Sequence, residues 1–436
     1  MNGPWDVLVI GAGFAGLVAA REASRLGCSV LVLEARDRLG GRAWSERRHG
    51  HVLELGGTWV HWSQPFVWTE LERYGLALEE TPSAVPEEVI VARGGRPERL
   101  SVREAGAALS QALALALSEA ERVFPRPFDP GFAASEVMGR AKMSLAERLA
   151  QLNLQPLQAE LLSAFFATLG HCHLDDLAYV EALRGWALAG RDYERFSDAL
   201  ARYRLRDGTG ALIEAIRGDA DAQIRLSSPV VSVEQSADHV RLQIEGGKSV
   251  LGRSVVVSAP LNVLTGIDFS PPLNAAKTQH ALEGHAGRGV KGYAAIRQNV
   301  GVFQGFAADP APITNVMTDA SGPQGSRLIF FGPDPSRLNA GDARAVEAAL
   351  RAFIPDAEVT EVISHDWVGD PYAKGTWCHF RPGQTAYFPA SRDQEGRVFF
   401  ASADTADGWR GFIDGAIERG LKVGREAAQF TPGLRR

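Results

Sequence analysis

An α/β protein is predicted, with a parallel-sheet nucleotide half interleaved with a second half of mixed sheet and helices. Three observations predict it. Val7 to Ile10 is an apolar run too short for a helix and ended by glycine, as in a buried parallel strand. Gly11-Ala-Gly13-Phe-Ala-Gly16 follows and opens a helical pattern, and a second apolar run, Ser29 to Leu33, ends in Glu34. In that register Gly11 allows a tight turn, Gly13 lets the backbone approach a pyrophosphate, and Gly16 lets the helix pack closely on the sheet. The helix should run to about Leu26, with Leu17, Val18, Ala20 and Ala23 buried, Arg21, Glu22 and Arg25 in solvent, and Gly27 as the stop. Glu34 is placed to accept hydrogen bonds from ribose hydroxyls, and the free N–H groups at the helix N-terminus favour phosphate. Together these elements predict a Rossmann-type dinucleotide site.

The elements that follow can be justified in order. Phe66 to Tyr74 is patterned as a helix stopped by Gly75. Thr81 to Arg99, rich in proline, glutamate and valine, departs into other strands and turns. Ser101 to Val123 is helical and stopped by Pro125, Pro127 and Pro130, and more helices fill Ser144 to Arg204. Ile224 to Val233 and Val240 to Ile244 read as strands, and Ser254 to Ser258 as a buried one. Val398 to Asp404 returns to the first sheet, and Ile413 starts a closing helix.

At 436 residues the chain can hold two sizeable domains, and 45% hydrophobic residues is the content of an ordinary globular protein. A net charge of −6 argues against a general nucleic-acid binder and favours small-molecule chemistry. Three cysteines, Cys28, Cys172 and Cys378, are odd in number and far apart, so a reducing, cytoplasmic setting is expected rather than a disulfide framework. No secretory pattern or apolar tail is seen at either end, so no membrane span is expected. His171-Cys172-His173 with Asp175-Asp176 fits no four-ligand metal pattern and reads as a helix junction with polar caps; no metal is expected.

Leu39-Gly40-Gly41-Arg42, just past Glu34, resembles the extended FAD motif of the amine oxidase superfamily, with Arg42 offering a planar donor fork to the pyrophosphate. Three further blocks resemble that family in the same order: Glu54-Leu-Gly56-Gly57-Thr58-Trp59, Asp366 through Trp377, and Ala403-Asp404 through Gly415-Ala416. The resemblance covers nearly the whole chain and implies a flavin-containing amine oxidase related to monoamine and polyamine oxidases.

The resemblance implies an FAD-binding domain built from residues 1–80, 205–288 and 379–436, and a substrate domain from 81–204 and 289–378. It implies cofactor contacts at Gly11, Gly13, Ala15, Gly16, Glu34, Ala35, Arg36, Gly41 and Arg42. Gly56, Gly57 and Thr58 would lie beside the isoalloxazine, Val230 at the adenine, Asp404 at the ribityl hydroxyls and Ile413 at the flavin N1–C2=O edge. Lys291 aligns with the lysine that reaches flavin N5 through a water, and Trp377 and Phe412 with two aromatic walls of a dry slot for the neutral amine. His61 and Trp62 could face the entrance or belong to the core. Thr376 stands where relatives with covalent flavin have cysteine, so non-covalent FAD is expected. The implied reaction oxidises an amine C–N bond to an imine by hydride transfer to flavin N5, with hydrolysis to a carbonyl and reoxidation by O2 to hydrogen peroxide. An aromatic, cyclic or alkaloid-type amine is favoured. Another substrate class, a protein electron acceptor and a non-enzymatic binding role on the same fold stay open, as does a homodimer.

Overall fold

The computed structural model describes residues 4–430. The parts of the expected domain boundaries at 1–3 and 431–436 lie outside the described residues. Among the described residues two large sheets organise the chain. The first has eight strands, ordered Gln223–Arg225, Val30–Leu33, Trp5–Ile10, Ser249–Val257, Val240–Ile244, Val230–Gln235 and Asp268–Ser270, with Val398–Phe400 also paired to Ser249–Val257. Its centre is parallel: Val7 pairs with Val30 on one side and Ser254 on the other. These strands read as continuous apolar runs because both faces are covered.

The second sheet has seven strands, ordered Val359–Ser364, Val290–Ile296, Gly325–Gly332, Asn315–Gly322, Phe303–Phe306, Glu88–Arg93 and Arg96–Leu100. It is antiparallel except where Phe303–Phe306 runs parallel to Glu88–Arg93. Helices Val102–Ala116, Pro156–Gly170, Tyr179–Leu188 and Tyr193–Ala201 share a core of their own with strand residues Val89, Val91 and Phe306.

The glycine motif folds as the spacing predicts. Helix Phe14–Arg25 follows strand Trp5–Ile10, and a Cβ on Gly16 would stand 2.0 Å from the Gly11 carbonyl oxygen, so only glycine fits. The closing helix, Ile413–Ala428, packs on this one. At Gly420 a Cβ would lie 2.6 Å from the Ala15 carbonyl oxygen, so the two backbones nearly touch. Helix Pro65–Tyr74 ends at Gly75 in the left-handed region (φ 60°).

Three expectations change. The helical stretch from Ser101 divides into Val102–Ala116 and Ala120–Val123, and the strand expected over Ile224 to Val233 is two, Gln223–Arg225 and Val230–Gln235, interrupted before Pro229. Arg21 and Glu22 are not in solvent. Arg21 is fully buried and gives two hydrogen bonds to Glu70 (2.6 and 2.7 Å) and one to the Tyr74 hydroxyl (2.8 Å). Glu22 accepts from Arg425 at 2.9 Å. An amphipathic reading assumes one wet face, but here helix Pro65–Tyr74 covers Arg21 and helix Ile413–Ala428 covers Glu22.

Removing one partner of a buried ion pair leaves an uncompensated charge and costs about 3–5 kcal/mol. Glu70→Ala should therefore lower the thermal melting temperature clearly. An unchanged melting temperature would show that Arg21 is not a structural cation.

Candidate active site

One cavity of about 430 Å³ draws its wall from both sheets, from Gly11, Glu34 and Val230 of the first to Lys291 and Phe331 of the second. At its nucleotide end Glu34 stands at the tip of strand Val30–Leu33. The Glu34 carboxylate accepts the Ala12 N–H at 2.6 Å and the Arg36 N–H at 2.9 Å, which fixes it beside the glycine turn. Gly13, Ala15 and Ala35 line the same stretch. Gly11 and Gly41 have φ of 97° and 59°, conformations that favour glycine. Arg36 lines the wall while its guanidinium binds Asp370 at 2.7 Å. Burial would raise the Asp370 carboxyl, but His365, Arg36 and the Tyr372 N–H outweigh it and hold the group well below the usual range.

In the middle of the site Arg42 divides its fork between the Thr376 carbonyl (2.8 Å) and the Asp404 carboxylate (2.7 Å). Gly56, Gly57 and Thr58 form a neighbouring wall. A Cβ on Gly57 would lie 3.3 Å from Ile413, so the closing helix begins against bare backbone there. Lys291 is fully enclosed. Its Nζ donates to the Glu54 and Gly56 carbonyls, each at 2.8 Å, and to Thr58 Oγ1 at 2.5 Å. Burial lowers the Lys291 ammonium to about 7, only partly opposed by Glu54 and Asp319.

The far end is aromatic. Lys291 Nζ lies 5.1 Å from the Trp59 ring centroid; Trp59 and Phe331 are 6.0 Å apart, and Phe331 and Trp377 6.4 Å. Trp377 donates its indole N–H to the Leu169 carbonyl at 2.7 Å. Gly411 brings the second wall residue close: its φ is 84°, and a Cβ there would meet the Cys378 backbone at 2.7 Å, so the segment bearing Phe412 abuts the segment bearing Trp377. Cys378 is fully buried and its thiol is pushed well above its ordinary value by burial.

Four expected contacts stand off the cavity wall. Gly16 supports the glycine turn from behind. Asp404 is buried with one carboxylate oxygen on Arg42 and the other on the Leu261 N–H at 2.8 Å; burial would raise this acid, but Arg42 and His285 outweigh it and lower it. It therefore aims the arginine rather than facing the cavity. His61 is buried, bonded to Ser63 at 2.8 Å and stacked on Tyr203 at 6.0 Å, and Trp62 is half exposed beside it. Neither lines the cavity, because the Trp59–Val60 strand pairs with Tyr203–Leu205 and turns both outward. His171, read from sequence as part of a capped junction, is in the cavity wall and stacks on Trp377. Its place at the end of helix Pro156–Gly170 gave no periodic signal. Among the described residues no group of histidine, cysteine and carboxylate side chains could hold a metal, and no helix is long and apolar enough to cross a membrane.

The family profile described as flavin containing amine oxidoreductase matches residues 14–428. The chain belongs to this family. It is 43% identical to pseudooxynicotine dehydrogenase of a Pseudomonas species, over 99% of this chain and 88% of that one. It is 35% identical to nicotine dehydrogenase of Pseudomonas putida (strain DSM 28022 / S16), over 98% and 89%. The solved structure of putrescine oxidase bound to putrescine covers 97% of this chain and 99% of its own with a TM-score of 0.83 at 21% identity, a likeness of fold. The protein is thus a flavin-dependent amine oxidoreductase. The residues present suit the cofactor: a cradle free of Cβ atoms at Gly11, Gly13 and Gly41 lies beside the oriented Glu34 carboxylate, and Arg42, held by Thr376 and Asp404, adds positive charge to the wall.

Glu34→Ala removes the carboxylate expected to accept from ribose. Hydrogen bonds to charged groups contribute about 1.5–3 kcal/mol, so flavin should be held roughly ten- to hundredfold more weakly. Flavin titration of the stripped protein measures this, and retention equal to the parent's would remove Glu34 from the site.

Proposed function

We propose that the protein oxidises an alkaloid-type amine carrying a flat ring, using FAD held without a covalent bond. The observation that carries the substrate reading is the makeup of the aromatic end. Among the described residues only Glu34 and Glu245 supply carboxylates to the cavity wall, both at strand ends of the nucleotide sheet, and the arginines Arg36 and Arg42 of the wall are tied to Asp370 and Asp404. At the Trp59, Phe331, Trp377 and Phe412 end Lys291 already gives its N–H groups to Glu54, Gly56 and Thr58, and among the described residues no further charged side chain there matches the carboxylate of an amino acid or the second charge of a diamine. An uncharged ring fits, and desolvation there favours the neutral amine that loses hydride most readily. The relatives named for pseudooxynicotine and nicotine support the same class. Non-covalent attachment is supported by Thr376 at the linkage position and by the fully buried, protonated Cys378.

The bound flavin supplies the two-electron acceptor for the hydride from the amine carbon. The chain's own residues orient and exclude. Trp377 and Phe412 form the dry walls, and the first turn of helix Ile413–Ala428 presents N–H groups that stabilise negative charge. Lys291 supplies a buried positive charge and a proton donor beside Gly56 and Thr58. Oxygen is the first reading for the final acceptor. A second reading, an acceptor other than oxygen, is favoured by the naming of both Pseudomonas relatives as dehydrogenases.

A secondary amine bearing a pyridine ring should give kcat/KM at least about tenfold above putrescine or an amino acid, since one misplaced charge in an apolar site costs several kcal/mol. Peroxide formed in step with amine loss would assign oxygen as acceptor; its absence, with turnover restored by an artificial dye, would assign another. Preference for the diamine would overturn the substrate reading.

Lys291 titrates at a lowered value, so it loses its charge as pH rises through about 7. The unfolded lysine keeps its proton to near 10.4, so this group subtracts stability below that pH, with the full cost reached below about 7. Any step that uses the charged lysine should show a limb near pH 7 that is missing in Lys291→Met. The same limb in the variant, with unchanged half-reaction rates, would remove Lys291 from the chemistry.

A further inference from the structure

The residue after helix Pro156–Gly170 is His171, in the left-handed region at φ 53° and ψ 40°, uncommon for a side chain larger than glycine. It is fully buried, and both ring nitrogens are used: Nε2 is 2.8 Å from the Val290 carbonyl and Nδ1 2.9 Å from Thr376 Oγ1. A carbonyl only accepts, so Nε2 carries the proton, Nδ1 accepts, and the Thr376 hydroxyl donates. The ring lies 4.1 Å from the Trp377 ring with 5° between their planes. Gly289 leaves room for it, since a Cβ there would fall 2.5 Å from His171 Cδ2. A strained backbone, two hydrogen bonds and a cleared space all serve one imidazole whose other face to the site is Trp377.

We propose that His171 is the positioning residue of the amine slot: it fixes the Trp377 wall by stacking, and so sets selectivity for substrates with a flat ring. It rests on the amine-oxidising reading of the same cavity. The clamp has three points. Leu169 takes the indole N–H, His171 covers the indole face, and Thr376, the residue before Trp377, ties the imidazole to the wall's own strand of chain. Burial holds the imidazole down to about 3, so the clamp is neutral and does not open across working pH.

The test uses the flavin-loaded protein and two substitutions. His171→Asn tolerates the left-handed backbone but removes the ring, and His171→Phe keeps a ring to stack while losing both hydrogen bonds. Anaerobic flavin reduction by a pyridine-bearing amine should show the Asn variant binding the amine about tenfold or more weakly, with the Phe variant between it and the parent. In a Trp377→Leu background His171→Asn should change binding less than twofold, because its effect passes through the indole. Fully additive losses would overturn the proposal. A readout without turnover is the ¹⁹F spectrum of protein labelled with 5-fluorotryptophan, the Trp377 line being assigned by its loss in Trp377→Phe. His171→Asn should broaden or split that line and His171→Phe should restore one sharp line. A single sharp Trp377 line in the Asn variant overturns the proposal, even if the protein melts lower. If no amine reduces the parent flavin, the functional reading fails while the ¹⁹F result still decides the clamp.

Discussion

A buried ammonium ties the seven-stranded sheet to the segment that follows the hairpin strand His51–Glu54. Lys291 comes from the strand Val290–Ile296 of the second sheet, and all three of its N–H groups are spent on the segment Glu54 to Thr58 that follows the nucleotide half. Leaving those carbonyls unpaired in a closed interior would cost far more than the bonds contribute in water. The seven-stranded sheet is therefore held in one register against that segment, and Lys291 lines the cavity together with Leu55, Gly56, Gly57 and Thr58. Tyr293, two residues on, reinforces it: its hydroxyl oxygen accepts the Glu54 N–H at 3.1 Å.

From that seam a polar chain runs behind the cavity. Asp404 aims Arg42, Arg42 holds the Thr376 carbonyl, and the Thr376 hydroxyl meets His171, which bonds the Val290 carbonyl next to Lys291. Arg42 and the Trp377 indole thus share one set of contacts. A carboxylate and a guanidinium enclosed this way are stabilised by each other and by backbone dipoles, so the loss of one strands the next.

The part of this arrangement that was legible in the sequence is the part that depends on backbone. Gly11, Gly13, Gly16 and Gly41 are needed where no Cβ fits, and such requirements are local and leave a spacing. Trp377 and Phe412 were legible as family positions, although nothing in their own neighbourhood distinguishes a wall from a core. Side-chain direction was less accessible. Helix periodicity places Arg21 and Glu22 in solvent because it cannot show that one further helix closes over each of them. His61 and Trp62 follow Gly57 closely in sequence, yet one short strand pairing turns them away. The surroundings of His171 leave no mark in the sequence because its three partners lie 119 to 206 residues downstream.

The central claim is that this cavity holds an oxidised flavin that an amine reduces. The most direct measurement is the visible spectrum of the purified protein, recorded without air while a pyridine-bearing secondary amine is added. The account predicts an oxidised flavin band that bleaches in proportion to the amine. A flavin band that no amine bleaches would contradict it.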